Sequence, residues 1–454
     1  MIINTLLLSR IQFGFTIGFH ILFPTLNIGM AMFLSIMEGV WLKTRDPVYK
    51  AICRFWTTVF ALTFGVGVVS GIVLSYELGT NFGLFTNAVG GVLGSLFAYE
   101  VLSAFFLEAG FLGVMLFGWD KVSPKLHYCA TLLVMIGTTI SAFWIMSANS
   151  WMQTPAGYAL VAGKYIVTNW WEVVFNPSFI PRYLHMILAS YVTTCFVIAG
   201  IAAWYLLKQR HVDFARRCFS FAIGAAIVVT VLQLFIGDAV GLEVNKNQPL
   251  KTAAMEGIWN TGKALPFLVF AIPDPEQEKN LYEIKIPYMA SLINTHHFDG
   301  ELIGLKSVSP NDRPIVVTVF FAFRIMVGLG ILFFLTALCG LWLRLRGQLY
   351  NHNWFYRLCL LISPLGFISS LAGWITAESG RQPWVIYNLM RTADGASIVA
   401  LHQVVISLIL FFLAYGVVFI FYLIYLFRLI NEGPTEATID TAMQPPPFTY
   451  LGKN

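Results

Sequence analysis

The sequence predicts an all-α integral membrane protein of about nine transmembrane helices, and three observations predict it. Hydrophobic residues make up 57% of the 454 residues and charged ones only 11%, which is a membrane rather than a soluble composition. Nine apolar runs are long enough to cross a hydrocarbon core of ~30 Å at ~1.5 Å per residue. Basic residues gather in alternate loops, as the positive-inside rule requires.

The runs fall at residues 12–41, 52–77, 93–118, 126–148, 181–207, 218–241, 314–343, 356–378 and 396–427. No basic residue precedes the first run and no small-residue cleavage site follows it, so it is expected to be a mature span and not a signal peptide. The loops at 42–54, 118–126, 208–217 and 344–357 carry the lysines and arginines, whereas 78–92 and 149–180 are poor in them. The N-terminus is therefore expected outside and the C-terminus in the cytoplasm. The net charge of +5 reflects these inner loops. No nucleic-acid partner is implied. The six cysteines show no paired spacing, so neither a disulfide nor a thiolate metal site is expected.

Four regions follow: helices 1–6 in 1–241, a polar outer loop in 242–313, helices 7–9 in 314–430, and a disordered tail in 431–454. A loop of that length far exceeds the ~12–15 residues usual without a function. The tail contains Gln-Pro-Pro-Pro-Phe, a composition that does not pack.

Ionisable residues inside apolar runs are costly, at about 2.5–3.5 kcal/mol each near a helix centre. His20, His185, Glu100, Arg324, Glu378 and Arg381 nonetheless crowd into the expected outer half, with Glu108 deeper. Glu100 and Glu108, eight residues apart, are expected on one broad face, ~80° apart around an ideal helix. Arg324 calls for an anion, and Met326, ~200° around the helix from it, addresses another surface. Trp374 lies one turn before Glu378. Each has a blander reading: a membrane His as a hydrogen-bonding residue, Met326 as packing, Trp374 as an interfacial anchor. His402 has no companion and is taken as structural.

Imidazoles, a thioether, carboxylates and arginines together suit haem. Its iron accepts His or Met axially, and its propionates supply anions for an intramembrane Arg. A haem–copper centre would need a cluster of membrane histidines. In the outer loop, Lys251 and Glu256 beside Trp259 could bind and deprotonate a dihydroxy-aromatic substrate, with the Glu as general base. The blander reading there is a solvated charged loop, and His296-His297 is expected to be an exposed pair.

Over nearly its whole length the chain resembles subunit I of the bacterial cytochrome bd quinol oxidases. The likeness rests on Arg10-Ile11-Gln12-Phe13 with His20, Phe106-Leu107-Glu108, Gly118-Trp119-Asp120, His185, the stretch Gly237–Trp259, Phe323-Arg324-Ile325-Met326, and Glu378 through Trp384. The resemblance implies His185 and Met326 as axial ligands of a low-spin haem b, with Arg324 close by. It implies His20 and Glu378 as ligands of two further haems, a high-spin haem b and a haem d (or a further haem b), in an order left open. It also implies Glu100 at the haem d pocket, Asp120 and Glu108 on a proton route from the cytoplasm, and Lys251 and Glu256 in the quinol site. The interval from Lys251 to Met326 fits the short-loop branch.

The implied partners are a second large membrane subunit, one or two small single-span subunits, quinol, O2 and the lipid of a bacterial inner membrane. The implied activity is electrogenic: quinol is oxidised at the outer face and oxygen is reduced to water with cytoplasmic protons, without a separate pump. Two other classes compete. A proton-coupled transporter would show inverted repeats and broken helices in matching halves, and neither is found in the sequence; a haem-free scaffold subunit would make the His185 and Met326 pairing coincidental.

Overall fold

The computed structural model describes residues 5–434. Among them are nine helices long and apolar enough to cross a membrane. They are α1 (Thr5–Thr44), α2 (Pro47–Asn81), α3 (Gly83–Phe117), α4 (Pro124–Gln153), α5 (Phe179–Leu207), α6 (Val212–Asn247), α7 (Val316–Leu345), α8 (Asn353–Ser379) and α9 (Leu401–Glu432). All nine expected spans are present, and most extend further than their apolar runs. Hydropathy marks only the lipid-crossing part of a helix, while capping sets its ends. Asp46 accepts from the Val48 N–H at 3.0 Å ahead of Pro47, and Ser123 accepts from the Leu126 N–H at 3.3 Å ahead of Pro124; proline is pre-set for a first helical position. Helix α8 is interrupted between Asn353–Ile362 and Leu365–Ser379, at Pro364. Helix α9 runs to Glu432, so the start of the expected tail is helical, and the rest of it, 435–454, lies outside the described residues.

The helices pack as two four-membered groups. In one, α1 lies against α2 and α4, and α3 completes the ring against α2 and α4; in the other, α5 lies against α6 and α8, and α7 completes it. The most buried spans, α1 and α5, join the groups. Their close crossing needs Gly29, where a Cβ would collide with Thr194 and the Ser190 carbonyl. Helix α9 lies against α1 and α2 through stacked rings, Phe15 on Phe412 at 4.0 Å among them.

The shared face of Glu100 and Glu108 is narrower than an ideal helix gives. The helix contains π-helical turns at Gly90–Gly94 and Val101–Phe105. The second lies between Glu100 and Glu108, and a π turn absorbs one extra residue. The two carboxylates are thereby brought from ~80° apart to within ~20° of one line. Both meet α4: Glu100 accepts from Ser141 at 2.7 Å, and the Glu108 side chain packs on Gly137, one turn away.

The segment after α6 is folded. A short helix, Pro249–Glu256, ends at Gly257, whose φ of 69° suits glycine. A hairpin pairs Phe267–Asp274 with Lys279–Ile286, and the helix Met289–Thr295 follows. Ala253, Ala254, Met255, Ile258, Trp259 and Leu305 form its core. The solvated-loop alternative is therefore wrong, because Lys251 is 4% exposed and Glu256 1%. His296 is exposed, as expected, and pairs with Asp238 at 3.1 Å. The cysteines are all free.

Candidate functional site

A single polar network joins the ends of α4, α5 and α8 to the short helix Pro249–Glu256. Glu378, in the last turn of α8, accepts from Asn149 at 3.0 Å and from Gln153 at 3.2 Å, and pairs with Arg381. Asn149 and Gln153 stand one turn apart on α4. Arg182 of α5 donates to Asn149 Oδ1 at 2.5 Å and to Ser150 Oγ at 3.2 Å. Gln153 Oε1 accepts from Lys251 Nζ at 2.6 Å and from Gln248 at 3.0 Å; Lys251 also donates to Gln248 at 2.6 Å. Lys251 is thus two hydrogen bonds from Glu378. Burial drives its ammonium well below the ordinary lysine value, and Arg182 and Arg381 push the same way.

Arg381 is 5% exposed, yet its Nε and Nη1 have no hydrogen-bond partner among the described residues. Buried donors are almost always satisfied, so this guanidinium keeps two donors for an acceptor that the described residues do not supply. Trp374 stands half-buried one turn before Glu378.

Glu256 belongs to a second network. Five residues along a helix separate it from Lys251 by ~140°. Its Oε1 accepts from Asn294 at 3.1 Å. Its Oε2 has no hydrogen-bond partner among the described residues and lies 3.9 Å from Arg324 Nη2. Burial raises the Glu256 carboxyl above its ordinary value, opposed by Arg324 and the Asn294 bond. Arg324, expected to need an anion, has the Glu256 carboxylate at 3.9 Å and is further held by this segment: it donates to the Met255 carbonyl at 2.6 Å and the Leu268 carbonyl at 2.8 Å, and its guanidinium lies 3.4 Å over the Phe320 ring.

His185 on α5 and Met326 on α7 occupy helices that are diagonal in the second group, each touching α6 and α8 between them. Glycines face both. A Cβ at Gly373 would come within 2.8 Å of Met326 Sδ, and one at Gly237 within 3.6 Å of His185. The Gln233 amide lies 3.2 Å from His185 Nδ1. In the first group, His20 Nδ1 is 2.9 Å from Ser70 Oγ, beside Gly71. The Ser70 hydroxyl also reaches the Val66 and Gly67 carbonyls at 3.0 and 2.9 Å, so the His20 ring is tied to this turn of α2.

Asp120 lies at the opposite end of α4 from Gln153. It is largely exposed and pairs with Arg54 at 3.0 Å and Lys50 at 3.7 Å. Near it is a buried cluster that the sequence reading missed: Glu38 accepts from His127 at 2.6 Å and from Thr131 at 2.6 Å. Arg182 and Gln153 were also missed, although an arginine at the mouth of an apolar run and a glutamine one turn after Asn149 were visible signals. His402 is exposed and joins none of these groups.

The sequence profile of the cytochrome bd terminal oxidase subunit I family matches residues 8–434. The chain belongs to this family. A cytochrome bd ubiquinol oxidase subunit 1 of Bacillus subtilis is 36% identical, over 87% of this chain and 86% of the relative. A cytochrome bd-II ubiquinol oxidase subunit 1 of Escherichia coli is 34% identical, over 89% and 92%. The solved bd oxidase of Geobacillus thermodenitrificans superposes with a TM-score of 0.89 at 32% identity, covering 95% of this chain and 99% of that one. Cytochrome bd membership implies a bacterial multi-pass membrane subunit, further subunits beside it, and haem. The residues present fit haem: imidazoles at His20 and His185, a thioether at Met326, glycines facing His185 and Met326, and open guanidinium donors at Arg381.

The Gln153 bridge makes a direct prediction. Gln153→Met leaves Lys251 and Glu378 each short of a partner, a loss of ~1–3 kcal/mol. Amide hydrogen exchange over 249–256 in the intact complex is expected to quicken on the order of tenfold, whereas unchanged exchange would show that the bridge does not hold this helix.

Proposed function

We propose that this chain is the quinol-oxidising and oxygen-reducing subunit of a short-loop cytochrome bd oxidase. The observation that carries the reading is Arg381, a buried guanidinium beside Glu378 with two open donors, which a haem propionate would fill. His185 and Met326 would hold a low-spin haem b, with Arg324 close to it. His20 and Glu378 would hold a high-spin haem b and a haem d (or a further haem b), with Trp374 beside Glu378. Haem bound there supplies one-electron transfer and the place where oxygen is reduced.

The quinol reading draws on the printed names of the relatives and on Glu256. The unpartnered Glu256 Oε2 is placed to accept a proton from a quinol hydroxyl, and Arg324 at 3.9 Å steadies the carboxylate without quenching it. Lys251 anchors the helix from behind, through Gln153. The segment between α6 and α7 is then the outer, quinol-binding loop, and its compactness agrees with the short branch. Basic loops face the cytoplasm, with the N-terminus outside and the C-terminus inside.

Protons for water are taken up from the cytoplasm at the Asp120 end. They pass Glu108 and then Glu100, which the π turn has aligned along α4. Each charge carried inward stores ~2.3 kcal/mol per 100 mV of membrane potential. No separate pump is required. A second large membrane subunit and one or two single-span subunits complete the enzyme.

Three outcomes follow. His185→Ala is expected to remove only the low-spin haem bands from the reduced-minus-oxidised spectrum, and unchanged bands would refute its role. Glu108→Ala is expected to slow oxygen consumption by about 100-fold with every haem retained; full turnover would exclude it from the route. Since burial raises the Glu256 carboxyl, its basic form is lost as pH falls through a value above the ordinary ~4.3. The acid limb of kcat/KM for quinol should therefore lie above that value in the wild type and disappear in Glu256→Gln. A limb at the ordinary glutamate position would contradict Glu256 as the base.

A further inference from the structure

Glu77 takes no part in the functions assigned above. It lies on α2, two turns (~10 Å) beyond Ser70 and one turn (~6 Å) before Asn81. It is 0% exposed, and Thr16 of α1 is the one side chain within hydrogen-bonding reach of its carboxylate, with no close bond made to either oxygen among the described residues. The Tyr415 hydroxyl on α9 is likewise buried and unpartnered, within electrostatic reach of Glu77. A buried carboxylate served at most by one hydroxyl, with a buried phenol that has no hydrogen-bond partner among the described residues on the neighbouring helix, calls for a further polar partner. Water is the smallest group that can satisfy a carboxylate and a phenol together, and buried water occurs where two to four polar atoms converge.

The neighbours extend the site in both directions. Below it, His20 meets Ser70 at 2.9 Å. Above it, Asn81 donates to Gln12 Oε1 at 3.2 Å, and Ser407 of α9 donates to the same oxygen at 3.1 Å. Gln12, Thr16 and His20 recur every four residues on one stripe of α1, and Ser70, Glu77 and Asn81 form the facing stripe of α2. Gln12 and Thr16 are buried. The polar rungs run from His20 to the end of α1 that carries Arg10.

We infer that Glu77 and Tyr415 hold a cluster of ordered water, and that this cluster makes the α1–α2–α9 seam a hydrated path between His20 and the outer surface. The use of the path rests on the oxidase reading: water formed in the outer half of the membrane leaves along it without crossing lipid. Glu77 acts as a positioning residue for water and not as a proton donor to oxygen.

The test uses the intact multi-subunit complex. A high-resolution cryo-EM map is expected to show water density within hydrogen-bond distance of Glu77 and Tyr415; a dry seam overturns the site. Glu77→Met should lose that density and lower kcat severalfold, with the haem spectrum and the quinol KM unchanged. Glu77→Gln should keep the density and lose less. Full kcat in Glu77→Met with all haems bound overturns the path. If Glu77→Met does not assemble, the wild-type and Glu77→Gln maps decide the site. A wild-type complex without haem would defeat the oxidase reading, while its map would still decide whether Glu77 holds water.

Discussion

Every buried charge at the Glu378 end of this protein must find a partner, and that requirement organises the structure. Removing a carboxylate, an ammonium and two guanidinium groups from water is tolerable only if they satisfy one another or a ligand. Glu378 does so through Asn149, Gln153 and Arg381; Arg182 through Asn149 and Ser150; Lys251 through Gln153 and Gln248. Partial satisfaction is informative in the same way. The network leaves two donors open at Arg381, and the neighbouring Glu256 network leaves one carboxylate oxygen open; among the described residues neither has a hydrogen-bond partner.

The two networks together explain how a segment outside the nine spans can share a site with residues inside them. The helix Pro249–Glu256 presents Lys251 to α4 and α8 on one side and Glu256 to Arg324 of α7 on the other. Its position is fixed from two directions, so the base proposed for quinol and the carboxylate proposed for haem are held in one frame. Helices α1 and α5, one from each four-helix group, pack together where the groups meet and carry one histidine candidate each.

Much of this was legible in the sequence because lipid simplifies the rules. Length and hydropathy gave all nine spans, and the cost of intramembrane charge singled out His20, His185, Glu108, Arg324 and Glu378. Local geometry was harder to read. No composition rule announces the π turn at Val101–Phe105, so the alignment of Glu100 with Glu108 required the backbone itself. The burial of Lys251 and Glu256 arises from tertiary packing of a segment whose sequence is polar enough to pass for a solvated loop. Gln153 and Glu77 were overlooked for another reason. A lone polar residue near the end of an apolar run has no periodic partner, and its meaning comes from what another helix places opposite it.

The central claim is that these costly side chains gather where they do because they hold iron porphyrins. A visible reduced-minus-oxidised spectrum of the purified complex, with haem extraction from the same sample, tests it most directly. The account predicts low-spin and high-spin haem signals together, with extractable porphyrin in the fraction that contains this chain. A colourless, porphyrin-free complex with its companion subunits present would contradict it.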